Sequence, residues 1–198
     1  SYALGRFHAR YRTSTFQNRG EALVSRELQS NFNGPDYHLL NHITLKLKDG
    51  TTQIDHILVS RFGVFVIETK HYNGWIFANA KQATWTQVLY RQKFKFQNPI
   101  FQNMRHVEAV KNIPIFAIKL RSVFGVFTGN AKFKTDIPPG VFTASELIKY
   151  LRNHVDEAMS VNRLQFCVGR IETARLAVSR EIDLEHVKNL EHRHSGKN

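Results

Sequence analysis

Apolar and polar residues alternate along Ile43, Leu45 and Leu47, and residues 64–70 are rich in β-branched and aromatic side chains. The alternation, the β-rich composition and the turn signals between them predict strands at 38–48, 52–59 and 64–70. Asp49-Gly50 and the SRFG stretch supply the turns, which makes the three an antiparallel meander. Upstream, Leu23, Val24 and Leu28 follow helical spacing. Asn18 and Glu21 form a capping-box pattern at the start of that helix, and NFNGPD ends it near Ser30. Residues 75–97 are aromatic and basic, and read as a strand followed by a loop. Pro99 suits the first turn of a helix running through Gln102, His106 and Val110.

Further strands are expected at 121–128 and 132–133. Pro138-Pro139-Gly140 breaks the chain, and Thr143 with Glu146 opens a capped helix to about Asn153. Residues 160–178 and 183–192 read as two more helices, and HRHSGKN as a disordered tail. The order predicts an α/β layered domain, a mixed sheet with an antiparallel meander flanked by helices. Its expected organisation is a basic arm at 1–17, the main domain at 18–155, a helical extension at 156–192 and a tail at 193–198.

Composition changes the picture in two ways. Lys and Arg number 28 against 16 Asp and Glu, a formal charge of +12, so the surface attracts polyanions, nucleic acid first and anionic membrane second. The one cysteine, Cys167, excludes an internal disulfide framework and any multi-cysteine zinc site. No apolar run is long enough to cross a bilayer, and SYALGRFHAR lacks a signal-peptide core. Walker, zincin, nucleophile-elbow and Rossmann signatures are absent, which leaves ATP use, zinc proteolysis and serine hydrolysis without support.

The candidate chemistry lies on QIDHILVS and VFVIETK. Glu68 and Lys70 share a strand face with Val64 and Val66, and charges ending an apolar face must be paired, solvated or bound to a metal. If Val59 pairs with Val64, Asp55 lies across from Glu68 and Gln53 across from Lys70. Opposed β carbons are ~5 Å apart, so both carboxylates can reach one ion, whereas a slip of one residue sends Asp55 to the other face. Two facing carboxylates repel unless something positive sits between them. An oxygen-only site of this kind suits Mg²⁺ or Mn²⁺. The alternative is a surface ion-pair cluster of the same three residues, and spacing alone leaves both open.

From RGEALVSREL through QIDHILVSRFGVFVIETKHYNG to FQNPIFQNMRH, the chain resembles the NERD (nuclease-related) domain of the PD-(D/E)xK nuclease superfamily. The resemblance covers about residues 19–150 and rests on the order of its motifs: Gly-Glu on a helix, Gln-x-Asp-His and Glu-x-Lys on strands, Asn-Pro and Gln-Asn on a helix. It implies a restriction-endonuclease-like core and a metal-dependent nuclease acting on DNA, with RNA left open. It also implies Asp55 and Glu68 as metal ligands, Lys70 as the catalytic lysine and Glu21 as a further acid completing the site. The carbonyl of Thr69 becomes a candidate ligand, and Gln53 and Gln102 candidate lining residues. A prokaryotic cytoplasmic setting is expected, with a homodimer and a membrane tether upstream of Ser1 left open.

Glu21 also reads as a mere capping residue. His56 alternates away from the acids and reads as a core histidine. His106 shares a helix face with Gln102 and reads as structural. Arg91, Lys93 and Lys95, interleaved with phenylalanines, are candidate phosphate contacts or a solvated strand with one buried face. Trp75, Trp85 and Cys167 read as core. The competing functions are a non-catalytic DNA-binding or adaptor module and a two-carboxylate glycosidase; the lysine and the positive charge disfavour the glycosidase.

Overall fold

The computed structural model describes residues 19–115 and 118–195; the expected basic arm and the Asn18 cap lie outside them. Helix α1 occupies 19–31. Strands β1 (Tyr37–Leu47), β2 (Gly50–Ser60) and β3 (Gly63–His71) follow as the meander, each within a residue or two of its expected span. They continue into a five-stranded sheet of order β1-β2-β3-β7-β9, in which β7 (Leu120–Thr128) and β9 (Val141–Thr143) run parallel to β3. Meander on one side and parallel strands on the other make this the mixed α/β arrangement that the resemblance implied.

Residues 75–97 do not hold one strand and a loop. They supply β4 (Gly74–Phe77), β5 (Thr84–Leu89) and β6 (Gln92–Gln97), which join β8 (Ala131–Phe133) in a second sheet of order β6-β5-β4-β8. The β5–β6 turn escapes a sequence reading because Tyr90 and Arg91 occupy it at φ 49° and 66°, where Asn-Gly is usual.

Helix α2 (Pro99–Lys111) starts at an Asn98 cap whose side chain accepts the Ile100 N–H. Its Asn103 amide, fully buried, donates to the carbonyls of Val66 and Val123 and so staples the helix to β3 and β7. Helix α3 (Ala144–Arg152) carries the expected Thr143–Glu146 capping box. The two expected C-terminal helices are one, α4 (Val161–Ser195), which takes in part of the segment expected to be disordered.

The large sheet is covered on both faces. Leu40, Ile43, Ile57, Val59, Val64 and Val66 meet α2 and also Leu164, Cys167 and Ile171 of α4. Leu58, Phe65, Ile67 and Val123 meet α1 and α3. Helix α4 is therefore part of the core, not an extension beside it. A third cluster, of Ile76, Trp85, Phe127 and Val141, joins the two sheets. Trp85 and Cys167 are core residues as expected, but Trp75 is 49% exposed.

Candidate active site

Strands β2 and β3 pair as Val59–Val64, Ile57–Val66 and His56–Ile67, the register that sets Asp55 toward Glu68. Beyond His56 the ladder stops and the strands splay. The Thr69 N–H, freed from that partner, donates instead to Asp55 Oδ2 at 2.7 Å. On the other side of β2, His42–Asp55 is the one pair missing from an otherwise continuous ladder with β1. His42 has φ 53°. Ile54 and Ile57 face the same core cluster although three residues apart, so strict alternation slips at Asp55 and leaves its carboxyl at the opening between strands.

Glu68 and Lys70 stand on the α2 face of β3, 2% and 6% exposed. Glu68 Oε1 accepts from Lys70 Nζ, and Oε2 pairs with His106 Nε2 at 2.8 Å. Lys70 Nζ also donates to Gln102 Oε1 at 2.8 Å. His106 Nδ1 meets Thr52 Oγ1 at 2.8 Å. With Nε2 donating to the carboxylate, a neutral ring leaves Nδ1 to accept the Thr52 hydroxyl. Gln102 and His106, one helical turn apart on α2, thus hold the lysine and the acid. His106, read as structural from sequence, touches the site directly. Its shared face with Gln102 was the available signal.

Glu21 enters from α1. Gly20 makes this possible: a Cβ there would lie 2.7 Å from Thr128 Oγ1 and 2.8 Å from His71 Cβ, so only glycine lets the first described turn of α1 come this close to β3 and β7. Glu21 pairs with His42 Nδ1 at 3.2 Å and is near enough to Glu68 and Lys70 to feel both charges. Gln53 does not join the site; it pairs with Thr44 of β1 and faces solvent, because the splay removes β3 from its side. His56 is buried facing α1, bonded to Asn41 at 2.7 Å, which in turn bonds Ser25.

The electrostatics divide the two acids. Burial pushes the Glu68 carboxyl up, but the His106 hydrogen bond and the Lys70 ammonium outweigh it and hold it below the usual carboxylate range. Asp55 is pushed up to about 8 by burial and by the Glu68 charge, against the Thr69 N–H bond. Burial raises Glu21 as well. An acid so placed gains most from a nearby cation.

The donor set fits a hard divalent ion. Its candidates are carboxylates and the Thr69 carbonyl, and Thr69 Oγ1 is buried with no partner among the described residues. Among the described residues, no group of three His, Cys, Asp or Glu side chains is placed to hold a metal ion. Both Glu68 oxygens have partners already, but each keeps a lone pair for a further bond.

Residues 17–128 match the family model described as nuclease-related domain. An uncharacterized protein of Bacillus anthracis is 33% identical over 175 residues, covering 86% of this chain and 82% of the relative. No solved structure matches the chain.

Proposed function

The chain belongs to the nuclease-related domain family, and we propose that it hydrolyses phosphodiester bonds of DNA with Mg²⁺ or Mn²⁺. The observation that carries this reading is the acid–acid–lysine cluster at the splayed ends of β2 and β3, with Glu68 and Lys70 buried and locked in place by α2.

Asp55 and Glu68 would hold the ion, with the Thr69 carbonyl as a further oxygen donor and Glu21, paired with His42, beside the site. When bound, the ion supplies Lewis acidity at a phosphoryl oxygen and favours ionised water. The protein's own groups supply position and charge. Thr69 N–H fixes the Asp55 carboxyl, and His106 fixes Glu68. Lys70 Nζ, held between Glu68 and Gln102, keeps an N–H for a water or a non-bridging phosphate oxygen. In-line attack of water on phosphorus builds negative charge beside that ammonium, which is preorganised and needs no reorientation. Burial raises the Glu21 carboxyl, which favours proton uptake there.

The test is cleavage of plasmid and linear DNA with Mg²⁺ or with EDTA. Cleavage with Mg²⁺ that EDTA abolishes, and that Asp55→Ala reduces by roughly 100-fold or more, is expected. Full activity in EDTA, or in Asp55→Ala, would sink the mechanism. A second reading has one observation in its favour: Lys70 and His106 already satisfy Glu68, so the cluster is stable without an ion. A non-catalytic DNA-binding module would then show salt-sensitive binding with no turnover under any metal. Among the described residues no helix is long and apolar enough to cross a membrane.

A further inference from the structure

The second sheet has an outer face that the site does not use. Register assigns its members. Trp75 of β4 pairs with Val88 on one side and Lys132 on the other, and Val88 pairs with Lys93. Phe77 pairs with Thr86, which pairs with Lys95. Paired residues point the same way, so Trp75, Phe77, Lys93, Lys95 and Lys132 form one surface. Lys134 completes it: its N–H continues the ladder to the Ile76 carbonyl, and Nζ lies 4.7 Å above the Trp75 ring. The alternate residues Ile76, Trp85, Phe96 and Phe133 turn inward to the aromatic cluster with Phe127.

The six outer side chains are all exposed. Strands β4, β5, β6 and β8 contain no Asp or Glu. Two open aromatic rings set among four lysines, with no acid, is an unusual thing to leave in water. Lysines complement a phosphate backbone, and flat rings complement bases only where those bases are unpaired. A duplex buries its base faces and would use the lysines alone.

We propose that this sheet face binds single-stranded nucleic acid, with Trp75 and Phe77 stacking on bases and the lysines following the phosphates. It takes the identity of the polyanion from the nuclease reading above, and adds that the substrate enters with an unpaired segment. The placement suits that role. Trp75 follows Lys70 by five residues, so the stacking ring's backbone is at most about 18 Å from that of the lysine. The strained β5–β6 turn beside Lys93 presents Arg91 and Tyr90, the latter 90% exposed, at the rim of the same sheet.

Binding is read by fluorescence anisotropy in EDTA, where it does not depend on cleavage. The probes are a labelled oligodeoxythymidylate of roughly 20 nucleotides, long enough to cover one such site, and a duplex of equal length. The single strand is expected to bind more tightly and to quench tryptophan emission, because Trp75 is open and Trp85 is buried. Trp75→Ala is expected to weaken the single-strand complex by roughly 5- to 100-fold, abolish the quenching, and leave the duplex almost unaffected. Lys132→Ala with Lys134→Ala should weaken both and flatten the salt dependence. Equal or tighter duplex binding, with Trp75→Ala and Phe77→Ala silent, would overturn the proposal. So would vesicles of anionic lipid competing fully with the oligonucleotide while the aromatic variants stay silent. Stacking-dependent binding without Mg²⁺-dependent cleavage would fail the nuclease reading alone. Cleavage without Trp75-dependent binding would fail this one alone.

Discussion

Asp55 spends folding free energy on its position. Its ordinary carboxyl value is 3.8, and the folded protein raises it to about 8. Below the ordinary value the group is protonated in both states and costs nothing. Between the two values the unfolded chain releases the proton and the folded chain keeps it, so stability falls as pH rises through that window. Asp55→Asn removes the penalty and keeps an oxygen for the Thr69 N–H. In EDTA its Tm is expected to match wild type near pH 4 and exceed it near pH 8, reflecting a stability gain of a few kcal/mol at most. Saturating Mg²⁺ should stabilise wild type and not the variant. Identical melting profiles across that pH range would refute the electrostatic account. His106 makes a different claim. His106→Ala leaves Glu68 Oε2 and the Thr52 hydroxyl without their partner and should cost about 3 kcal/mol, with cleavage lost alongside. His106→Gln, able to reach one partner, should recover part of both.

At the scale of elements, the close approach of α1 explains why Gly precedes Glu on that helix. Gly20→Ala would push the Cβ into Thr128 and His71, and is expected to lower stability by about 1–3 kcal/mol despite alanine's better helix propensity. Chemical denaturation measures this directly; an unchanged or raised midpoint would show that α1 can move away freely. Elements were legible where local signals were clean. The meander showed in the alternation of β1 and in the Asp49-Gly50 and SRFG turns, α2 in Pro99, and α3 in its capping box. The second sheet was less legible, because Tyr90 and Arg91 form a turn against their own preference and because β4 keeps its large ring outside. Glu68 and Lys70 could be placed by strand period alone, and Asp55 by the β2–β3 register. His106 could not, since nothing local to α2 says which strand it packs upon. Gln53 failed for a related reason: the register was right but the strands part before reaching it.

At the scale of the molecule, the family match ends at residue 128, yet the core does not. Leu164, Cys167 and Ile171 of α4 are fully buried against β1 and β2. A chain cut after Asn153 would expose that face, and is expected to be insoluble or unfolded by circular dichroism. Each large side chain lost from such a core costs about 2–5 kcal/mol, comparable with a domain's whole margin. A chain cut after Glu181, beyond Val178, the last buried side chain among the described residues, should keep its fold. If the shorter piece folds as well as the longer one, α4 is dispensable after all.

The parallel pairing of β3 with β7 bears on the timing of synthesis. Val64 meets Leu120 only after β4, β5, β6 and α2 have been made between them. Until then β3 is an open edge, and α2 lacks the Val123 carbonyl that helps Asn103 anchor it. Contacts so far apart in sequence form late and slowly. A nascent or half-folded chain therefore has its lysines on display while its acids are still scattered. It can adhere to polyanions from the start, but the acid–lysine cluster comes into being only with the finished fold.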